Sequence, residues 1–224
     1  MLNILNKEIT PSPMQDKFNA RFYDILKSKK IPYDELSQQN KHNLVLKYAQ
    51  VSRPDVVKRG FIKPLYINSP DIVVILRTNS IKESEYRIIN EIKSPIMQVT
   101  NKLIHELGFC NPYITNLSFH ITDSFNDWTL EKLQKEFLIK DLEFSTIELP
   151  QVFLLLGNDA LNVFFNTGCT VQNILGDIYL APYKGITRMF IPIPHPAYLV
   201  RDKNSYNEIV QYCKVIRSIL QEIK

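Results

Sequence analysis

At 224 residues, 45% of them hydrophobic, the chain carries enough apolar material for one globular domain with a sizeable core. Its 27 basic and 23 acidic residues leave a formal charge of +4, which permits an anionic partner through a local basic rim without demanding one. No stretch approaches the roughly 20 apolar residues of a membrane span, residues 1–8 are too polar for a signal peptide, and three scattered cysteines, Cys110, Cys169 and Cys213, signal neither a disulfide framework nor a zinc site. The expectation is a soluble, intracellular, cytoplasmic monomer without a cofactor.

In chain order, residues 1–12 read as a loose tail. Phe18, Phe22 and Ile25 then fall at helical spacing in a segment that stops at Ile31-Pro32. A second, scaffold helix is expected over Asp34 to Gln50, and Val51 to Ser69 reads as an irregular basic connector. Asp71-Ile72-Val73-Val74-Ile75-Leu76 is a continuous β-branched run, the pattern of a strand covered on both faces in a parallel or mixed sheet. In such sheets ligands sit beyond the carboxyl ends of the strands, here the polar loop Arg77 to Tyr86. A helix is expected over Ile96 to Leu107 with Gly108 as its left-handed stop. A short strand follows over Pro112 to Leu117, ending in a polar pair that includes Asn116. After a loop holding Asp123, Asp127 and Trp128, residues Thr129 to Asp141 read as a helix. Pro150 to Gly157 is a third buried strand that turns through Gly157-Asn158-Asp159-Ala160 into a helix over Leu161 to Phe165. That glycine-bearing turn exposes backbone N–H groups at a positive helix end, a standard place for a phosphate. Gly176 to Tyr179 begins a hairpin-like approach to a strand over Met189 to Ile193, and Asn207 to Ile223 is an amphipathic closing helix. Strands alternating with helices indicate an α/β layered domain.

The segment Phe190 to Lys203 stands apart. An apolar run ends in His195 between Pro194 and Pro196, which fixes φ on either side and holds the imidazole on a stiff, extended turn. The following Tyr198-Leu199-Val200-Arg201 suits an exposed loop that turns apolar side chains outward beside basic ones, which is what a wedge into DNA requires. Asn116 offers one acceptor and two donors, the complement of a pyrimidine edge.

Taken together, Glu106-Leu107-Gly108, Tyr113-Ile114-Thr115-Asn116, Leu155-Leu156-Gly157-Asn158-Asp159-Ala160, Gly176-Asp177-Ile178-Tyr179 and His195-Pro196-Ala197-Tyr198-Leu199-Val200-Arg201 resemble, in order and spacing, the uracil-DNA glycosylase superfamily. The resemblance is closest to its thermophilic-type family 4 and phage-polymerase-associated branch, and covers about residues 70 to 203. It implies an α/β three-layer sandwich around a mostly parallel sheet. The expected layout is one domain over 1–224: a helical and basic region to residue 69, a motif-bearing core over 70–203 and a closing helix over 204–224. It also implies DNA, single- or double-stranded, as the partner. Asn116 would read the flipped base, His195 would support the leaving pyrimidine anion, and Leu199 would fill the gap in the stack. Tyr198 and Arg201 would lie on the DNA, and Gly157 and Asn158 would face a phosphate.

Three departures bear on the reaction. The family's glycine-rich first motif is replaced by Leu76-Arg77-Thr78-Asn79-Ser80, which leaves Asn79 and Glu83 to orient water and puts Arg77 and Ser80 against the base. The four cysteines of an iron–sulfur cluster are absent, with His120 and Glu136 at two of their positions. Ile96, after Pro95, stands nearest to the aromatic that stacks on uracil. The expected activity is flipping and excision of an atypical or modified pyrimidine. The alternative is a catalytically inactive DNA-binding or protein-binding accessory member of the fold.

Overall fold

The computed structural model of the chain describes residues 2–9, 15–52, 63–77, 94–119, 139–165 and 168–223. Among these residues six strands form one sheet: β1 (Leu2–Ile4), β2 (Ile72–Leu76), β3 (Pro112–Asn116), β4 (Val152–Leu156), β5 (Ile178–Tyr183) and β6 (Ile186–Ile193), in the order β1-β5-β6-β4-β2-β3. β3, β2, β4 and β6 are mutually parallel neighbours, β5 runs antiparallel to β6, and β1 pairs parallel with β5. All five residues of β2 and of β4 are buried. That is why neither strand shows alternation in the sequence: both faces are covered.

The covering elements make the outer layers. On one face, α3 (Pro95–Glu106), the short α5 (Pro196–Leu199) and α6 (Lys203–Ile223) share a core with Val74, Leu76, Ile114, Leu154, Leu156, Ile191 and Ile193. On the other, Phe144 from the helical stretch 139–144 and Ala160, Val163 and Phe164 of α4 (Asn158–Phe165) pack on Val73, Ile75, Tyr113, Phe153, Leu155 and Phe190. The helices α1 (Gln15–Ser28) and α2 (Gln38–Ser52) join this second layer, α1 and α2 through Leu142 and α2 also through Phe119 and Ile139. The result is a three-layer α/β sandwich around a mostly parallel sheet.

Local chemistry sets the element ends. Pro95 occupies the first helical position of α3, and Gly108 (φ +89°) ends it with Gly108 N–H donating to His105 O and Phe109 N–H to Ile104 O. The β5–β6 hairpin turns on Lys184 (φ +50°) and Gly185 (φ +78°), the two positive-φ residues of a type I′ turn. Pro192 is tolerated inside β6 because pairing with β5 stops at Phe190, so beyond that point β6 is bonded to β4 alone.

The structure departs from the sequence reading in three places. Residues 2–4, expected in a loose tail, form edge strand β1, with Leu5 N–H donating to Leu180 O and Ile9 N–H to Pro182 O. The second helix begins at Gln38, after a 3₁₀ turn over Tyr33–Glu35. Residues 196–199, expected as an irregular exposed loop, make a helical turn, since a proline at the first helical position nucleates a helix as readily as it ends one. Trp128, Asp123 and Asp127, and most of the helix expected over Thr129 to Asp141, lie outside the described residues.

Candidate functional site at the carboxyl edge of the sheet

The chain leaves β2 for β3 on one side and then crosses back over β2 to β4, so the topological switch point lies between β2 and β4. In an open α/β sheet the crevice beyond the carboxyl ends at that point is the usual ligand site. Four adjacent parallel strands deliver five predicted residues there. Arg77 follows β2, Asn116 closes β3, Gly157 and Asn158 follow β4, and His195 stands two residues beyond β6.

His195 is the N-cap of α5, with φ −59° and ψ 134°. Its Nδ1 accepts a hydrogen bond from Ala197 N–H at 3.2 Å. A ring nitrogen that accepts has no proton, so in the neutral ring the proton sits on Nε2, which is left as a donor. Burial pushes the His195 pKa down to about 4, and the positive charges of Arg77 and Arg201 push in the same direction. The ring is therefore a neutral donor at physiological pH. Behind it lies Gly157, whose N–H donates to Ile193 O at 2.8 Å. Its φ is +94°, and a Cβ added there would stand 3.1 Å from His195 Cβ. Glycine lets the β4 turn and the His195 turn approach each other.

Because the folded-state pKa of His195 lies below its ordinary 6.5, the stability drawn from its neutral ring is complete above that value. It is lost as the pH falls through about 4. A ring ¹⁵N titration should show the Nε2–H tautomer persisting from neutral pH to below 5. An imidazolium already formed at pH 6 would show that the ring is not held as described.

Asn116 lies at the end of β3 on the same face as Ile114, 1% exposed. Its Nδ2 has no hydrogen-bond partner among the described residues. A buried amide donor left unpaired costs about 1–3 kcal/mol, so an acceptor brought to this point would be favoured. Arg77 carries its Nε 2.9 Å from Asp159 Oδ2, so an ion pair bridges the switch point from β2 to the first turn of α4. In the sequence Asp159 reads only as part of the glycine turn; no spacing rule relates it to Arg77, and the β2–β4 pairing is what brings the two together. Asn158 Oδ1 accepts from Val171 N–H at 2.7 Å, so its acceptor atom tethers the following loop. Ile96 is half-buried against the α3 side of the core.

The segment after His195 corrects one expectation. Leu199, expected to point outward as a wedge, is 2% exposed and belongs to the core between α3 and α6. The helical turn of α5 rotates it inward and turns Tyr198 and Val200 out, 43% and 42% exposed. Tyr198 is held by its hydroxyl, 3.2 Å from Ser205 Oγ and donating to Asp202 Oδ2 at 3.4 Å, and Arg201, exposed, donates from Nε to Ala197 O. Leu199→Ala should thus act on folding, lowering stability by about 2–5 kcal/mol in a denaturant titration. A loss under about 1 kcal/mol would return Leu199 to the surface.

Asn79, Ser80 and Glu83 lie outside the described residues. Among the described residues no group of three His, Cys, Asp or Glu side chains is placed to hold a metal ion, and Cys110 and Cys169 are exposed while Cys213 is buried. Comparison with protein families matches residues 20–223 to the model described as Uracil DNA glycosylase superfamily. No curated protein matches the chain.

Proposed function

Since this chain belongs to the uracil-DNA glycosylase superfamily, we propose that it is a DNA glycosylase that flips an atypical or modified pyrimidine out of DNA and hydrolyses its N-glycosidic bond at the crevice between His195 and Asn116. The observation that carries this reading is a pair of donors with no acceptor among the described residues, the Nε2–H of a neutral His195 and the buried Nδ2 of Asn116. β6 and β3 are three strand spacings apart, about 14 Å of backbone separation, a gap that a histidine side chain, a pyrimidine ring and an asparagine amide span together.

The chemistry assigns each donor a task. As the C1′–N1 bond breaks, its electron pair passes to the base, whose O2 gathers negative charge. Water adds to C1′ and gives up a proton, and the departed base anion takes one up from solvent, so no net proton is consumed. A neutral imidazole donor placed at O2 stabilises the developing anion without having to surrender its proton, and Arg77, held by Asp159, adds a fixed positive charge to the same region. Asn116 presents its amide to the opposite edge of the ring. Orienting the water falls to the segment after β2, where Asn79 and Glu83 stand. The base must first leave the stack, at a cost of a few kcal/mol. Tyr198 and Val200, the exposed apolar side chains next to His195, serve as the wedge that Leu199 does not supply.

The test is a panel of duplex and single-stranded oligonucleotides carrying normal and modified pyrimidines, followed by alkali to reveal abasic sites. At least one pyrimidine should be released, and Asn116→Asp should change the order of preference, because a carboxylate accepts at the edge where the amide donates. An order of preference identical in the two proteins would remove Asn116 from the base pocket.

A further inference from the structure

On the face of β3 opposite Asn116, five polar side chains are sealed from water. Tyr113, Thr115 and Glu143 are 0% exposed, and His42 and Lys140 are 1% exposed. They form one connected network. Lys140 Nζ donates to Glu143 Oε2 at 2.6 Å and to Thr115 Oγ1 at 2.9 Å. Thr115 Oγ1 donates in turn to Glu143 Oε1 at 2.9 Å. The Tyr113 hydroxyl gives its proton to Glu143 Oε1 and therefore accepts from His42 Nε2 at 2.7 Å. The ammonium of Lys140 also sits 3.0 Å from the centroid of the Phe119 ring. Burying a lysine–glutamate pair is expensive, and hydrophobic residues of the same volume would stabilise the fold as well or better. A stability role alone therefore does not account for placing such a pair here.

Its location gives it a task. Among the described residues β3 is the last strand of the sheet and has a strand neighbour, β2, on one side only. It is also the strand that ends in buried Asn116, whose Nδ2 has no partner among the described residues. Past Asn116 the ladder to β2 continues, with Leu117 N–H donating to Leu76 O at 2.7 Å and Ser118 N–H to Arg77 O at 3.0 Å. Those bonds lie in the plane of the sheet. Out of that plane, the Thr115 hydroxyl, on the residue before Asn116, is bonded to Lys140 and Glu143 of the 139–144 stretch, and Tyr113, two residues earlier on the same face, is bonded to His42 of α2. In a low-dielectric interior such bonds are strong and directional.

We propose that Lys140, Glu143 and Thr115, backed by Tyr113 and His42, are positioning residues for Asn116: they lock the carboxyl end of β3 so that the Asn116 amide faces the crevice with its donor unspent. The assignment deepens the reading of Asn116 as the base-reading group and rests on it. It adds residues that never touch the base.

Thr115→Val is the sharpest probe, since it keeps shape while deleting the hydroxyl through which the Lys140–Glu143 pair holds β3; Thr115→Ser restores that hydroxyl. Two readouts are taken on each full-length protein. One is the Asn116 side-chain NH₂ resonance in a ¹⁵N spectrum, assigned by its disappearance in Asn116→Ala. The other is the ratio of release rates for two pyrimidines. Thr115→Val should shift or broaden the Asn116 resonance and cut the ratio by about tenfold, the scale of one charge-assisted hydrogen bond. Thr115→Ser should restore both, and adding Thr115→Val to Asn116→Ala should cost no further discrimination. An Asn116 resonance unmoved by Thr115→Val, or losses that add in the double variant, would overturn the proposal. If the wild type releases no base, the glycosylase reading fails while the resonance still decides whether the network positions Asn116.

Discussion

Replacing His195 with alanine should lower base release by about 10²–10³-fold while leaving DNA affinity within a few-fold of wild type. Removing one preorganised donor from a developing oxyanion typically costs that much in rate. Affinity for DNA is carried mainly by cationic contacts with phosphates, and Arg201, exposed on the same segment, is untouched by the substitution. The distinguishing feature of this histidine is the assignment of its two nitrogens. Nδ1 is engaged by Ala197 N–H within its own turn, so the ring presents Nε2–H and nothing else to a ligand. With a pKa pushed down to about 4, the ring acts through a hydrogen bond at neutral pH, and release should not depend on a histidine titrating between pH 6 and 8. Single-turnover rates and salt-dependent binding, measured on the same preparations, separate the two effects. A parallel loss of binding and release would show instead that His195 holds the DNA.

The second large effect is expected at a residue with no side chain. Gly157→Ala should reduce base release nearly as far as His195→Ala and should also destabilise the fold. At φ +94° an L-residue is strained by about 1–3 kcal/mol, and the new Cβ would press on His195 Cβ at 3.1 Å, tighter than ordinary van der Waals contact. Relief requires the His195 turn or the β4 turn to move, and Gly157 N–H is bonded to Ile193 O two residues before His195. Displacements of about 1 Å in a catalytic group cost on the order of 10²-fold. Gly168, with φ +65° and open space around the added Cβ, is the control: Gly168→Ala meets backbone strain without a neighbour to displace. Melting curves and single-turnover rates for the two variants should therefore diverge in rate more than in stability. Equal rates in both would show that the contact with His195 does not matter.

The sheet was legible in the sequence where the physics is local. Unbroken apolar runs marked β2 and β4, because strands buried on both faces have no polar side to display. Gly108 marked the end of α3, because only a residue free to take positive φ closes that turn. β1 escaped notice: three residues, two of them exposed apolar side chains, carry no period, and their pairing with β5 is set 176 residues away in register. The site divided in the same way. His195 and Asn116 stood out because proline flanks and a strand-terminal amide are visible in one dimension. Leu199 was misplaced because one helical turn decides which of three consecutive apolar residues faces the core, and Pro196 signals a stiff bend and a helix start alike. The Arg77–Asp159 pair and the Lys140–Glu143 network were invisible for another reason. Lys-x-x-Glu on a helix reads as a solvated pair, and only tertiary burial, here to 1% and 0% exposure, turns it into something else.

The most direct measurement on the central claim is mass spectrometry of both products after wild-type protein acts on an oligonucleotide carrying a single modified pyrimidine. Hydrolysis of the N-glycosidic bond predicts the intact free base together with an oligonucleotide that has lost that base and gained one water, in equal amounts, and both products formed about 10²–10³-fold more slowly with His195→Ala. An oligonucleotide of unchanged mass with every pyrimidine tested, from protein that binds the same DNA, would contradict it.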